Sequence, residues 1–416
     1  MQYGLIGEKL GHSFSAEIHS MLGDYEYRLC PMPPEKLGEF MTARDFRGIN
    51  VTIPYKQAVI PYLDEVDESA AAIGAVNTVV NREGRLIGYN TDFYGMCCLI
   101  RRIGIDMTGK NVAILGTGGT SKTARAVATH MGAAEVVKVS RTPREEGEIS
   151  YDALYAAADK INVIINTTPV GMYPNVHACP VELGRFTSLC GVADAVYNPL
   201  CTELVLEARE RGIPAAGGLY MLVAQATRAA AYFFEDDCFV EKTDEIFGKL
   251  YFNKLNIVMT GMPGSGKSTI GKRLSELLGR EFTDTDVVAA DRVGMSLPEH
   301  FAIYGEQVFR DLESEIIDEL SVYSGRVIST GGGGILRQGN VHALRRNGII
   351  VFLDRPLEDI TPTEDRPLSR DRAALQKRYD ERYPIYCATA DIAINVNGGI
   401  DQTAEAVIKA LTEKIL

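Results

Sequence analysis

Three things missing from these 416 residues narrow the field before any motif is read. No apolar run approaches the roughly 18 residues a bilayer-spanning helix needs, so no membrane segment is expected. The opening stretch, MQYGLIGEKLGHS, has no charged region leading into an apolar one, so no secretory signal is expected either. Basic excess is also lacking. A net charge of −12 argues against a general nucleic-acid binder, although local Lys and Arg can still build a positive pocket for an acidic small molecule. The eight cysteines, at 30, 97, 98, 179, 190, 201, 238 and 387, form no C-x-x-C and no Cys/His cluster with zinc spacing. They read as reduced, mostly buried thiols of a cytoplasmic protein, and the adjacent Cys97 and Cys98 read as ordinary core positions. No internal repeat, heptad array or low-complexity tract is present.

What remains is an alternation of short β-rich runs with longer helical patterns, the mark of parallel α/β domains. NVAILG (residues 111–116), EVVKVS, INVIIN and GVADAV read as strands, and residues 220–234 read as a long helix without Gly or Pro. The charged stretch at 235–254 breaks this pattern, and a fresh β–loop–α series starts at LNIVMTG. The main boundary is expected near residue 250, in a short helix rather than a floppy linker, since the stretch is poor in Ser, Pro and Gly.

The second series opens with GMPGSGKST. Gly261, Gly266, Lys267 and Ser268 match G-x-x-x-x-G-K-[ST], between a strand and a helix. Backbone N–H groups of Gly264, Ser265, Gly266 and Thr269 would surround phosphate oxygens, with the helix N-terminus adding positive potential. Lys267 would reach the β/γ-phosphates of ATP, and Ser268 would bind Mg²⁺. FTDTD follows, with Asp284 and Asp286 expected on one side of a strand end, one for the Mg²⁺ shell and one for an acceptor hydroxyl. Next come Phe301, Phe309 and Arg310 in SLPEHFAIYGEQVFRDLE, the glycine turn STGGGG, and Arg366, Arg378 and Arg382 near the end.

Together these pieces, with ERYPIY, resemble shikimate kinase over nearly all of 255–416. The resemblance implies that Asp286, Arg310, Gly332, Gly333 and Arg382 bind shikimate, with the two arginines on its carboxylate and Phe301 and Phe309 walling the ring. It implies Asp284 for magnesium, Lys267 and Asp286 as catalytic groups, and Arg366 in a lid over ATP. RPLS stands here where the family usually has RPLL, and the lid is less basic than expected.

The first half has another glycine loop. GTGGTS (residues 116–121) follows a strand and fits G-x-G-x-x-G/A loosely, with a plain β–α turn as the competing reading. The next strand ends in Ser140, Arg141 and Thr142, not in the Asp or Glu of an NAD site, which favours the 2′-phosphate of NADP. The first hundred residues are dense in polar groups: Ser13 and Ser15; Asn50, Thr52 and Lys56; Asn77; Asn90, Thr91 and Asp92. Buried polar groups need partners, and Lys56 with Asp92 form a candidate proton-transfer pair.

These segments, with NTTPVGM, DAVYNPLCT and GLYMLVAQA, resemble shikimate dehydrogenase over about residues 1–235. The resemblance implies Ser13, Ser15, Thr52, Asn77 and Gln225 as substrate-binding, and Lys56 and Asp92 as catalytic and touching substrate. It implies Gly116, Gly118, Gly119, Arg141 and Thr142 for NADPH, with Met221 beside the nicotinamide. Ala16 stands where the family commonly has Pro, and Ser140 where it commonly has Asn. The expected architecture is an α/β substrate domain (1–100, completed by about 218–240), a Rossmann NADP domain (101–217), a linker (241–253) and a P-loop, nucleoside-monophosphate-kinase-like α/β domain with a parallel sheet (254–416). Its partners are then the small molecules 3-dehydroshikimate and shikimate. Two alternatives stay open: a first half that prefers quinate or NAD, and a half that is a catalytically dead sensing or scaffolding module. Monomer and homodimer are both compatible with the sequence.

Overall fold

The computed structural model describes residues 2–11, 14–360 and 372–415, so the expectations for Ser13 and Arg366 lie outside the described residues. The chain divides into two compact units, Met1–Asn198 with Thr202–Leu250, and Pro199–Cys201 with Tyr251–Leu416. The stretch expected as a linker is largely the helix Thr243–Lys254, within which the division falls.

The first unit contains two sheets. One is mixed, with strands β1 (Tyr3–Gly7), β2 (Tyr27–Pro31), β3 (Gly48–Val51), β4 (Glu65–Val66), β5 (Thr78–Arg82) and β6 (Arg85–Tyr89) in the order β2-β1-β3-β5-β6-β4. β5 runs antiparallel to both β3 and β6; the remaining pairs are parallel. The other sheet is all parallel: β7 (Asn111–Leu115), β8 (Glu135–Val139), β9 (Glu148–Ile149), β10 (Val163–Asn166), β11 (Gly191–Asp194) and β12 (Ala215–Ala216), ordered β12-β11-β10-β7-β8-β9. Its central strands β7, β10 and β11 are apolar and almost wholly buried, as strands covered on both faces must be. The chain winds outward in both directions from β7 and β10, so their carboxyl ends form the crevice where doubly wound sheets bind ligands.

Two helices join these sheets. Thr91–Ile103 packs against Leu219–Phe234, and the contact is close at Gly95, where an added Cβ would lie 2.5 Å from the Met221 carbonyl oxygen. Phe233 and Ala229 seat the second helix on Tyr3 and Val80 of the mixed sheet. Met221, at its other end, packs with Ile114, Ile165 and Ala193 of the parallel sheet.

The second unit is one parallel sheet of β13 (Asn256–Thr260), β14 (Phe282–Asp284), β15 (Val327–Ser329), β16 (Gly348–Asp354) and β17 (Ile392–Asn395), ordered β14-β15-β13-β16-β17. β13 lies in the middle and is buried at every residue. The chain moves first to one side of it and then to the other, which places its carboxyl end at the switch point.

Candidate functional sites

At the carboxyl end of β13 the chain turns through Gly261, Gly264 and Gly266, all at positive φ, into the helix Lys267–Leu278. This turn floors a cavity of about 560 Å³ lined by Gly264, Gly266, Lys267, Ser268, Thr269, Asp284, Asp286, Phe301, Phe309, Arg310, Gly332, Gly333, Arg378 and Arg382, fourteen residues singled out in the sequence. Ser265 is behind the wall, its Oγ buried without a hydrogen-bond partner. Lys267 Nζ donates to the carbonyls of Gly261 and Met262, 3.0 Å each. A helix N-terminus and a lysine suit the oxygens of a nucleoside triphosphate.

Asp284 and Asp286 do line the same cavity, but not as alternate residues of one strand. The strand ends at Asp284, whose carboxylate caps the next helix, Thr285–Val293, by accepting from Asp286 N–H at 3.0 Å. Asp is a preferred cap, and capping overrides strand periodicity here. Ser268 Oγ donates to the other oxygen of Asp284 at 2.5 Å. Ser268 and Asp284 are the residues that would hold Mg²⁺, which is usually bound through one or two carboxylates plus phosphate and water.

Glu313, which the sequence reading did not pick out, also lines the cavity. It is 2% exposed, and Arg310 Nη1 donates to its Oε2 at 2.6 Å. Burial is the main cause holding its carboxyl above the usual range, opposed by Arg310 and reinforced by Asp286. The glycine turn after β15 comes very close to this pair. An added Cβ at Gly331 would stand 2.4 Å from Asp286 Oδ1 and 2.7 Å from Glu313 Oε1, and one at Gly333 only 2.0 Å from Arg310 Nη1. Arg382 Nη1 and the Tyr386 hydroxyl both donate to the Gly332 carbonyl, at 2.9 and 2.5 Å. Phe301 and Phe309 stack obliquely with centroids 4.5 Å apart. One wall is therefore cationic, one acidic and one aromatic, a shape suited to a small anionic ring bearing hydroxyls.

In the first unit Lys56 and Asp92, 36 positions apart, meet as an ion pair of 2.5 Å, Nζ to Oδ2, with side chains 23% and 8% exposed. The local chain explains the meeting. Asn90 caps the helix Thr91–Ile103, setting Asp92 in its first turn, and Val76 N–H donates to the Lys56 carbonyl at 2.8 Å. Asn77 Oδ1 accepts from Thr91 N–H at 2.7 Å, while its Nδ2 points to Gln225 Oε1 at 3.4 Å. Val51 N–H donates to the Asn77 carbonyl, which places Thr52 beside it. Lys56, Asp92, Asn77, Thr52 and Gln225 are thus assembled from four segments, and Ser15 begins the helix Ser15–Leu22. Part of the polar density is structural: Asn50 accepts from the Tyr27 hydroxyl at 2.7 Å and donates to Thr78 Oγ1 at 3.0 Å.

The glycine loop after β7 leads into the helix Gly119–His130, with Gly118 as its N-cap. An added Cβ at Gly118 or Gly119 would meet nothing within 4 Å, so the helix N-terminus is open enough to take a pyrophosphate. Gly116 N–H donates to the Val139 carbonyl, which brings Ser140 and exposed Arg141 and Thr142 alongside the loop. A dinucleotide with a 2′-phosphate fits these residues. Met221 is packed into the core below them. Behind the loop NTTPVGM and DAVYNPLCT meet through Asp194. This fully buried carboxyl accepts from Asn166 Nδ2 (2.9 Å), Val196 N–H (2.9 Å) and Thr202 Oγ1 (2.6 Å), and burial pushes it up to about 7. Cys97 lies in the core, its thiol pushed up to about 11 by burial.

The folds and loops define the class: a dinucleotide-dependent oxidoreductase joined to a P-loop phosphotransferase. Family models match the "Shikimate dehydrogenase substrate binding domain" at residues 5–79 and "Shikimate kinase" at 263–413. A shikimate dehydrogenase (NADP(+)) of Symbiobacterium thermophilum is 36% identical in an alignment of 266 positions that covers 56% of this chain and 88% of the relative. Among solved structures, shikimate dehydrogenase 1 of Peptoclostridium difficile aligns with a TM-score of 0.55 at 36% identity, covering 60% of this chain and 98% of that one. The Thermus thermophilus shikimate 5-dehydrogenase in complex with NADP(H) and shikimate aligns at 0.52 and 30% identity, covering 58% and 98%. The chain belongs to the shikimate dehydrogenase family and carries a shikimate kinase domain in the same polypeptide.

Proposed function

We propose that the chain reduces 3-dehydroshikimate to shikimate with NADPH and then phosphorylates shikimate to shikimate 3-phosphate with ATP. The observation that carries this reading is that each unit gathers reactive groups in one place: the Lys56–Asp92 pair among Asn77, Thr52 and Gln225, and the P-loop cavity with its acidic and arginine walls. That convergence speaks against a dead module.

In the first reaction the bound dinucleotide supplies the hydride. Lys56, as an ammonium, holds a proton at the ketone oxygen and delivers it as negative charge develops there, while Asp92 orients it; such transfer contributes about 10²–10⁴-fold. Ser13, Ser15, Thr52, Asn77 and Gln225 position the ring hydroxyls and carboxylate. Gly116, Gly118 and Gly119 would hold the pyrophosphate, Arg141 and Thr142 the 2′-phosphate, and Met221 the nicotinamide end. Arg141 in place of an acidic residue favours NADP over NAD, in keeping with the NADP-dependent relatives.

In the second reaction ATP with Mg²⁺ supplies the phosphoryl group. The loop from Gly264 to Thr269 would cradle its phosphates, Lys267 would stabilise their charge, and Ser268 and Asp284 would hold the metal. Asp286 orients the acceptor hydroxyl and takes its proton. Arg310 and Arg382 grip the carboxylate, with Glu313 fixing Arg310, and Phe301, Phe309, Gly332 and Gly333 shape the ring pocket. Arg366, outside the described residues, is assigned to ATP by the kinase resemblance alone. A cytoplasmic setting suits the free thiols. Supplying 3-dehydroshikimate, NADPH, ATP and Mg²⁺ should yield shikimate 3-phosphate; accumulation of shikimate alone would refute the second step.

A further inference from the structure

Arg355 follows directly on β16 and lines the P-loop cavity. Its Nε is buried and has no hydrogen-bond partner. Among the described residues its guanidinium makes no ion pair. The other arginines of the cavity are engaged: Arg310 with Glu306 and Glu313, and Arg382 with the Gly332 carbonyl. Arg310, Arg378 and Arg382 also form one group, since after burial, which comes first, Arg382 and Arg310 help push Arg378 down to about 10.

Arg355 stands on a different side of the cavity. β16 pairs with β13 through Phe352 and Thr260, and an added Cβ at Gly261, the first P-loop glycine, would lie 2.8 Å from the Leu353 carbonyl. Arg355 is two residues beyond Leu353, so its backbone leaves the sheet beside the phosphate loop and not beside the glycine turn at 331–333. A buried donor without an acceptor costs about 1–3 kcal/mol, more for a charged group, and native structures seldom keep one without a use. The acceptor missing here is an anionic oxygen on the P-loop side.

We infer that Arg355 is a nucleotide-positioning residue that donates to the phosphate chain of the bound nucleoside triphosphate from the framework side, independently of the lid. The inference rests on the kinase reading above. It gives the second unit a guanidinium anchored at a strand end beside the phosphate loop, in a chain whose lid segment is poor in basic residues.

The test is calorimetric titration of the full chain with adenosine, Mg·ADP, the non-hydrolysable Mg·AMPPNP, and shikimate. Arg355→Gln should weaken Mg·ADP and Mg·AMPPNP about 10- to 100-fold, the worth of a charge-assisted hydrogen bond. Adenosine and shikimate affinities should stay within twofold. Arg355→Lys should recover part of the loss, since it restores a cation. Far-ultraviolet circular dichroism and thermal melting of the full chain report that the variants fold. Nucleotide affinity within twofold of wild type in Arg355→Gln would overturn the inference, as would an equal loss for all four ligands, which marks a merely structural role. A wild-type chain that binds no Mg·ADP would overturn the kinase reading, and the inference with it.

Discussion

Replacing Gly333 with alanine puts a methyl group into the Arg310 guanidinium. The new Cβ would lie 2.0, 2.3 and 2.5 Å from Nη1, Cζ and Nη2, distances no real contact shows. Gly333 is outside the left-handed region, so alanine meets no backbone strain there. The obstacle is the tip of a flexible side chain, so the fold should survive and Arg310 should move. Moving it breaks the 2.6 Å ion pair with Glu313 and takes the guanidinium off the position from which it would grip a carboxylate. Losing one charge-assisted hydrogen bond costs about 1.5–3 kcal/mol, or roughly 10- to 100-fold in shikimate affinity. Gly333→Ala should therefore raise the KM for shikimate by that factor and leave Mg·ADP binding and NADPH oxidation near wild type. The assay is steady-state phosphorylation of added shikimate, with calorimetry for each ligand. A shikimate KM within twofold of wild type would refute the placement of Arg310 at the substrate carboxylate.

Arg141→Asp should lower NADPH affinity tenfold or more and hurt NADH less, because an acidic residue can pair with free ribose hydroxyls; an unchanged NADPH/NADH ratio would remove Arg141 from the site. Asp194 titrates at about 7 when folded, against 3.8 for an Asp side chain in water, so the folded state holds its proton more tightly. The resulting stabilisation is complete below about pH 4 and is lost as pH rises through 7, by up to about 4 kcal/mol. Urea denaturation of the wild type and Asp194→Asn at pH 5 and pH 8 checks this: the drop between the two pH values should be smaller in the variant, and equal drops would contradict it.

Residues whose role is set locally were legible in the sequence. The P-loop is contiguous, and its helix begins at Lys267 as the motif requires. Asp284 and Asp286 were found for the right place by the wrong geometry, because a strand pattern does not reveal that Asp284 stops the strand to cap a helix. Glu313 was hidden because Glu306, Arg310 and Glu313 look like ordinary i, i+4 and i, i+3 surface pairs. The clue was its place on the helix face that also carries Phe309 and Ile316, both buried. Arg355 belongs to no motif, and only the packing leaves its Nε without a partner. The Lys56–Asp92 and Asn166–Asp194 contacts join positions 36 and 28 residues apart, so spacing alone could not place them.

The claim that two complete and separate catalytic sites share this chain is tested most directly by assaying both reactions in Lys56→Ala and Lys267→Ala. Lys56→Ala should lower NADPH oxidation about 10²–10⁴-fold and leave phosphorylation of added shikimate near normal. Lys267→Ala should do the reverse. If either substitution silenced both reactions in a chain that still folds, the account would be contradicted.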